Sequence, residues 1–140
     1  MCFERTNNTI KDKTTGYKLL ITDGKTYYSP YVGGSIKFKK WYKAKKITTY
    51  HKYKNIYTHS GLWPRFNKNI EDIGFSSFIY LEDAKSEKLT WSHYFDTRDK
   101  NIFYPVIVRV KNKKSLVGIS INNYFSYLSQ HQYIKEIIKT

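Results

Sequence analysis

The chain reads as an α+β fold, a single domain with one largely antiparallel, twisted sheet and one or two short helices. Three observations predict it. Thr22-Asp23-Gly24-Lys25 is a turn signal between two β-prone runs. Val106, Val108 and Val110 alternate with Ile107, Arg109 and Lys111, the period-2 pattern of a strand with one buried face. Leu81 to Leu89 begins with Glu82 and Asp83 and continues with Lys85 and Lys88, the charge order that a helix dipole favours. Strands in runs with a helix among them, rather than strict strand–helix alternation, point to antiparallel pairing.

Taken in order, residues 1 to 14 are polar and are expected to form a flexible arm. Tyr17 to Ile21 is a strand, and Thr26 to Ser29 returns beside it across a type I′ turn at Asp23-Gly24. Pro30 ends that strand, and Gly33-Gly34 allows a change of direction. Ile36 to Lys43 is read as one strand, with Ile36, Phe38 and Tyr42 on one face and Lys37, Lys39, Trp41 and Lys43 on the other. Lys40 falls on the inward face, which marks a bulge or an edge. Residues 46 to 58, rich in Thr, Tyr and Ile, hold one or two further strands, and Ser60 to Arg65 is a loop.

Gly74 to Tyr80 is a short β run ahead of the helix. Pro105 opens the valine strand, and Leu116 to Ile121 is expected to pair back on it across a turn at Asn112-Lys113-Lys114-Ser115. Tyr133 to Ile138 fits strand and helical spacing alike and is assigned as a closing strand.

Composition narrows the function. A chain of 140 residues can bury about two thirds of its unfolded surface, and an aromatic content of 18% supplies large side chains to do so. Cys2 is the only cysteine, so no internal disulfide forms and a reducing compartment is expected. No apolar run is long enough to cross a membrane, and Met1-Cys2-Phe3-Glu4-Arg5 has neither a signal core nor a lipidation signal.

The formal charge of +14 is concentrated. Between Gly24 and Ile70 there is no Asp or Glu, while that stretch holds eleven of the 25 Lys and Arg residues. Within it Lys37, Lys39, Lys40, Lys43, Lys45, Lys46, Lys52 and Lys54 are interleaved with Trp41, Tyr42, Tyr50 and Tyr53, and Arg65 follows. Ammonium groups neutralise phosphates and aromatic rings stack on bases, so these residues are the candidate surface for RNA or another polyanion. The competing interpretation is that the lysines only protect an edge strand from aggregation.

Catalytic signatures are missing. His51, His59, His93 and His131 form no close metal-ligand pair, and there is no phosphate-binding glycine loop or nucleophile elbow. Glu71-Asp72 and Glu82-Asp83 are adjacent acids whose side chains diverge, unlike a catalytic dyad. No metal, cofactor or catalytic residue is therefore expected.

Three blocks stand in fixed order over nearly the whole chain: Met1-Cys2-Phe3; Gly16-Tyr17-Lys18 with Tyr28-Ser29-Pro30-Tyr31; and Gly74-Phe75-Ser76-Ser77-Phe78 leading into Leu81-Glu82-Asp83-Ala84. In this layout the chain resembles a set of small proteins from bacteria and their phages, whose members tend to carry His where this chain has Ser76. It is also similar in kind to phage anti-CRISPR proteins, which disable a guide-RNA nuclease by binding it. That resemblance implies a phage-encoded inhibitor in the cytoplasm of a bacterial host, with RNA or an RNA-containing nuclease complex (a CRISPR effector) as partner. The strand, aromatic turn and Asp-Ala helix also look like compact ADP-ribosyltransferase folds. That likeness implies a nucleotide-using enzyme but places none of the family's catalytic residues here; read from the residues alone, an enzyme would hold its nucleotide near Gly74 to Tyr80, with His93, Tyr80 or Glu136 as acid or base. A third possibility is an interaction module that docks on an acidic protein.

Overall fold

A computed structural model of the chain describes residues 3–5, 9–29, 35–44, 74–98, 103–120 and 123–139. Among the described residues there are eight strands and one helix: β1 (Phe3–Arg5), β2 (Lys11–Thr22), β3 (Tyr27–Tyr28), β4 (Ser35–Ile36), β5 (Trp41–Lys43), β6 (Phe75–Phe78), α1 (Leu81–Arg98), β7 (Tyr104–Ser120) and β8 (Phe125–Ile138). Every strand pairing among the described residues is antiparallel, as the α+β reading expects.

β7 is the spine. One edge takes β8 from Ile107↔Ile138 to Ile119↔Phe125, and the other takes β2 from Lys11↔Ser115 to Thr22↔Tyr104, followed by β1. The outer edge of β8 takes β6 and β5, and β6 also meets β2 at Tyr17↔Phe78. β2, β7, β8 and β6 therefore close on one another, which removes most of the unpaired edge that long strands would otherwise present.

Gly16 makes the closure possible. A β-carbon there would lie 2.5 Å from Ser77 Oγ and 3.1 Å from the Phe78 carbonyl, so β6 can approach β2 only where the side chain is hydrogen. Leu20, Ile36, Val108, Val110 and Ile134 form a core on one face of the sheet. On the opposite face Leu19 and Ile107 pack with Ala84 of α1, flanked by Leu81, Trp91 and Ile138. The expected helix is present and runs on to Arg98. The short run before it forms β6, and Tyr133 to Ile138 is strand, the end of β8.

Several expectations are corrected. Asn112 to Ser115 is not a turn: β7 runs straight through it, and the chain reverses between Ile119 and Phe125. Asn112 and Ser115 are buried, hydrogen-bonded to Ser77 (3.1 Å) and Ser129 (2.7 Å), so polar residues that resemble a turn are interior ones with partners. Lys114 adopts φ 56°, and there the alternation is interrupted, with Lys114 exposed and Ser115 buried before it resumes at Leu116. Phe3–Arg5 and Lys11–Thr14, expected in a flexible arm, are ladder-paired with β7.

The Asp-Gly loop has four residues, because Thr22 pairs with Tyr27; the Asp23 carboxylate accepts the Lys25 and Thr26 amides, both at 2.9 Å, in place of a two-residue turn. Ile36 to Lys43 is two strands rather than one, separated by a turn at Phe38-Lys39 with Lys39 at φ 59°. The strands expected within residues 46 to 58 and the loop at 60 to 65 lie outside the described residues. No helix among those described is long and apolar enough to cross a membrane.

Candidate nucleic-acid interface

Residues directly opposite in an antiparallel ladder project from the same face, so pairings across β2, β7, β8 and β5 define rows. One row is Lys13–Lys113–His131–Lys43 and the next is Thr15–Lys111–Tyr133–Trp41. Both lie on the face that α1 covers further along, beyond the Arg109–Glu136 ion pair. In these rows the four lysines, Thr15 and Trp41 are exposed, while His131 and Tyr133 are half-buried. Neither row contains an acid.

The two rows interlock. Trp41 is 41% exposed, and its ring stands 5.3 Å from the Tyr133 ring at a tilt of 46°. Lys113 Nζ lies 4.6 Å from the Trp41 ring centre, and Lys111 Nζ 5.7 Å from that of Tyr133. Cations from β7 thus reach over aromatic rings on β8 and β5, each contact worth about 0.5–1 kcal/mol at an exposed site. β5 is pinned at both ends: Lys39 N–H donates to the Ile134 carbonyl (2.7 Å) and Ala44 N–H to that of Gln130 (2.8 Å).

Directly opposed like charges destabilise a sheet, and Lys13 faces Lys113 across the β2–β7 ladder. His131 sits between Lys113 and Lys43. Its imidazole is held below the usual histidine range, first by partial burial and then by Lys43, Lys114 and Lys113. Such a face is suited to receiving negative charge.

Of the residues picked from sequence, Trp41 and Lys43 belong to these rows. Lys37, Lys39 and Lys40 are exposed on the turn and flanks between β4 and β5. Lys40 does not point inward: its ammonium lies 5.2 Å from the Tyr42 ring centre, and the long stem carries the charge out to water. Tyr42 is no free stacking platform. Its ring packs on the core and against Phe75, and its hydroxyl accepts the Lys37 amide at 2.9 Å. Lys45, Lys46, Tyr50, Lys52, Tyr53, Lys54 and Arg65 lie outside the described residues.

Sequence reasoning missed Lys13, Lys111, Lys113, His131 and Tyr133, because reading Asn112–Ser115 as a turn hid that Lys111 and Lys113 continue the alternation of the valine strand. Of the residues considered for an enzyme, Glu136 is taken up by Arg109, His93 is exposed on α1, and Tyr80 is exposed beside Phe125. Among the described residues no three His, Cys, Asp or Glu side chains gather as metal ligands would. Comparison with protein-family models, with curated proteins and with solved structures finds no match to this chain.

Proposed function

We propose that this chain binds single-stranded RNA, alone or within a ribonucleoprotein, on the face built from β2, β7, β8 and β5. The observation that carries the reading is the pair of adjacent rows, one of Lys13, Lys113, His131 and Lys43 and one containing Tyr133 and Trp41. Phosphates of a strand running across the sheet meet the first row, and its bases reach the rings of the second. Stacking of that kind contributes roughly 1–3 kcal/mol per base and tolerates any sequence. The acid-free stretch from Gly24 to Ile70, from which β5 comes, adds basic charge to the same part of the chain.

The RNA we assign to this face is the guide RNA of a CRISPR effector, with the chain acting as a phage-encoded inhibitor by occupancy rather than catalysis. That assignment rests on the likeness in kind to anti-CRISPR proteins.

The test is a fluorescence-anisotropy titration of labelled single-stranded RNA across a salt series, beside duplex DNA of equal length. Three lysine–phosphate contacts predict a log–log salt slope of about −2, and a Lys13→Ala/Lys113→Ala double variant reduces it by about 1.4. Trp41→Ala weakens binding roughly ten- to a hundredfold. Absence of binding at physiological salt, with capture of a protein partner that survives nuclease treatment, would replace RNA by an acidic protein surface.

A further inference from the structure

His131 is the one member of the basic row that can change its charge near neutral pH. Its ladder neighbours on both sides are cations, Lys113 from β7 and Lys43 from β5, and Lys114 adds a third. From β2, Lys13 stands one position further along the same row, while Asp12 alternates to the opposite face. The imidazole therefore sits in a positive field with no described acid in its row to offset it, which favours its neutral form in the free protein. A phosphate placed on this row reverses that field.

Resting on the RNA-binding reading above, we infer that the face is a proton-linked binding site. Phosphate seated on Lys13, Lys113 and Lys43 draws a proton onto His131, so affinity for a single strand rises as pH falls. By linkage, the site that gains a proton on binding RNA must bind RNA more tightly when protonated. The proton comes from solvent, and the imidazolium adds one more cationic hydrogen-bond donor to the row.

The experiment uses the full chain and a labelled oligouridylate, whose bases do not titrate in the window, at constant ionic strength from about pH 7.5 to 5.5. Affinity is expected to increase about three- to tenfold over that span, with a slope no steeper than one decade per pH unit, the limit for one proton. In His131→Gln the slope disappears. Lys18→Met, which changes a buried lysine outside the rows, keeps it. In parallel, the His131 ring proton resonance should titrate at higher pH in the oligonucleotide complex than in the free protein.

A slope that persists in His131→Gln, or a resonance that titrates identically in free and bound protein, overturns the proton linkage while leaving the binding face standing. Absence of oligouridylate binding at every pH overturns the face and the linkage together.

Discussion

Lys18 is buried among apolar and polar side chains on the sheet face opposite α1. Its ammonium donates to the Ser76 carbonyl at 3.0 Å, and burial pushes its pKa from 10.5 down to about 7. Between those two values the unfolded chain holds a proton that the folded chain has released, so Lys18 makes stability rise with pH across that window. Its contribution is fully present above the unfolded value and is lost as pH falls to about 7. Relative to Lys18→Met, the wild type should gain about 2 kcal/mol between pH 7 and 9, measured by urea unfolding. The Ser76 carbonyl keeps a partner in the variant, because Gln132 Nε2 also donates to it at 3.3 Å. A difference that is flat with pH would mean that Lys18 stays charged in the fold.

Tyr42 separates structure from function at the same scale. Tyr42→Phe removes the acceptor of the Lys37 amide while keeping the ring against the core, and should cost about 1 kcal/mol of stability. RNA affinity should be unchanged, because Tyr42 lies on the side of β5 away from Trp41. Chemical denaturation and the anisotropy titration on one preparation check both parts.

At the scale of elements, closure depends on β6 crossing to β2 over Gly16. In Gly16→Ala the new methyl meets Ser77 Oγ and Cβ, at 2.5 and 2.9 Å, in a region where Ser77 is held by Asn112. The predicted cost is about 1–3 kcal/mol of overpacking, with amide protons of β6 exchanging faster than those of the β7–β8 ladder. A variant as stable as the wild type would show that β6 shifts freely.

The same region shows where the sequence was legible. The valine alternation, the acidic start of α1 and the run at Phe75–Phe78 were readable because each is a local pattern with a local cause. The continuation of β7 through Asn112–Ser115 was not, because it depends on partners distant in sequence. Asn112, Gln132, Ser77, Ser115 and Ser129 satisfy one another inside the sheet, so polar residues bounded by lysines need not be a turn.

For the molecule as a whole, the basic face sets stability against the proposed binding. Two of its residues were visible in sequence, Trp41 and Lys43 on one short strand; the other five required the ladder that brings Lys13, Lys111, Lys113, His131 and Tyr133 beside them. Lys13 directly opposite Lys113 is an arrangement that folding alone disfavours. Replacing it by Lys13→Glu turns a repulsive cross-strand pair into an attractive one and should raise stability by roughly 0.2–1 kcal/mol in low salt. The same change removes one cation from the row and adds an anion, so RNA affinity should fall at least tenfold and the salt slope should become shallower. Opposite signs from one substitution distinguish a face maintained for a polyanion from one that merely keeps the chain soluble. If Lys13→Glu leaves RNA affinity unchanged while stability rises, the row on β2 is not part of the interface and the contact is confined to β5, β8 and β7.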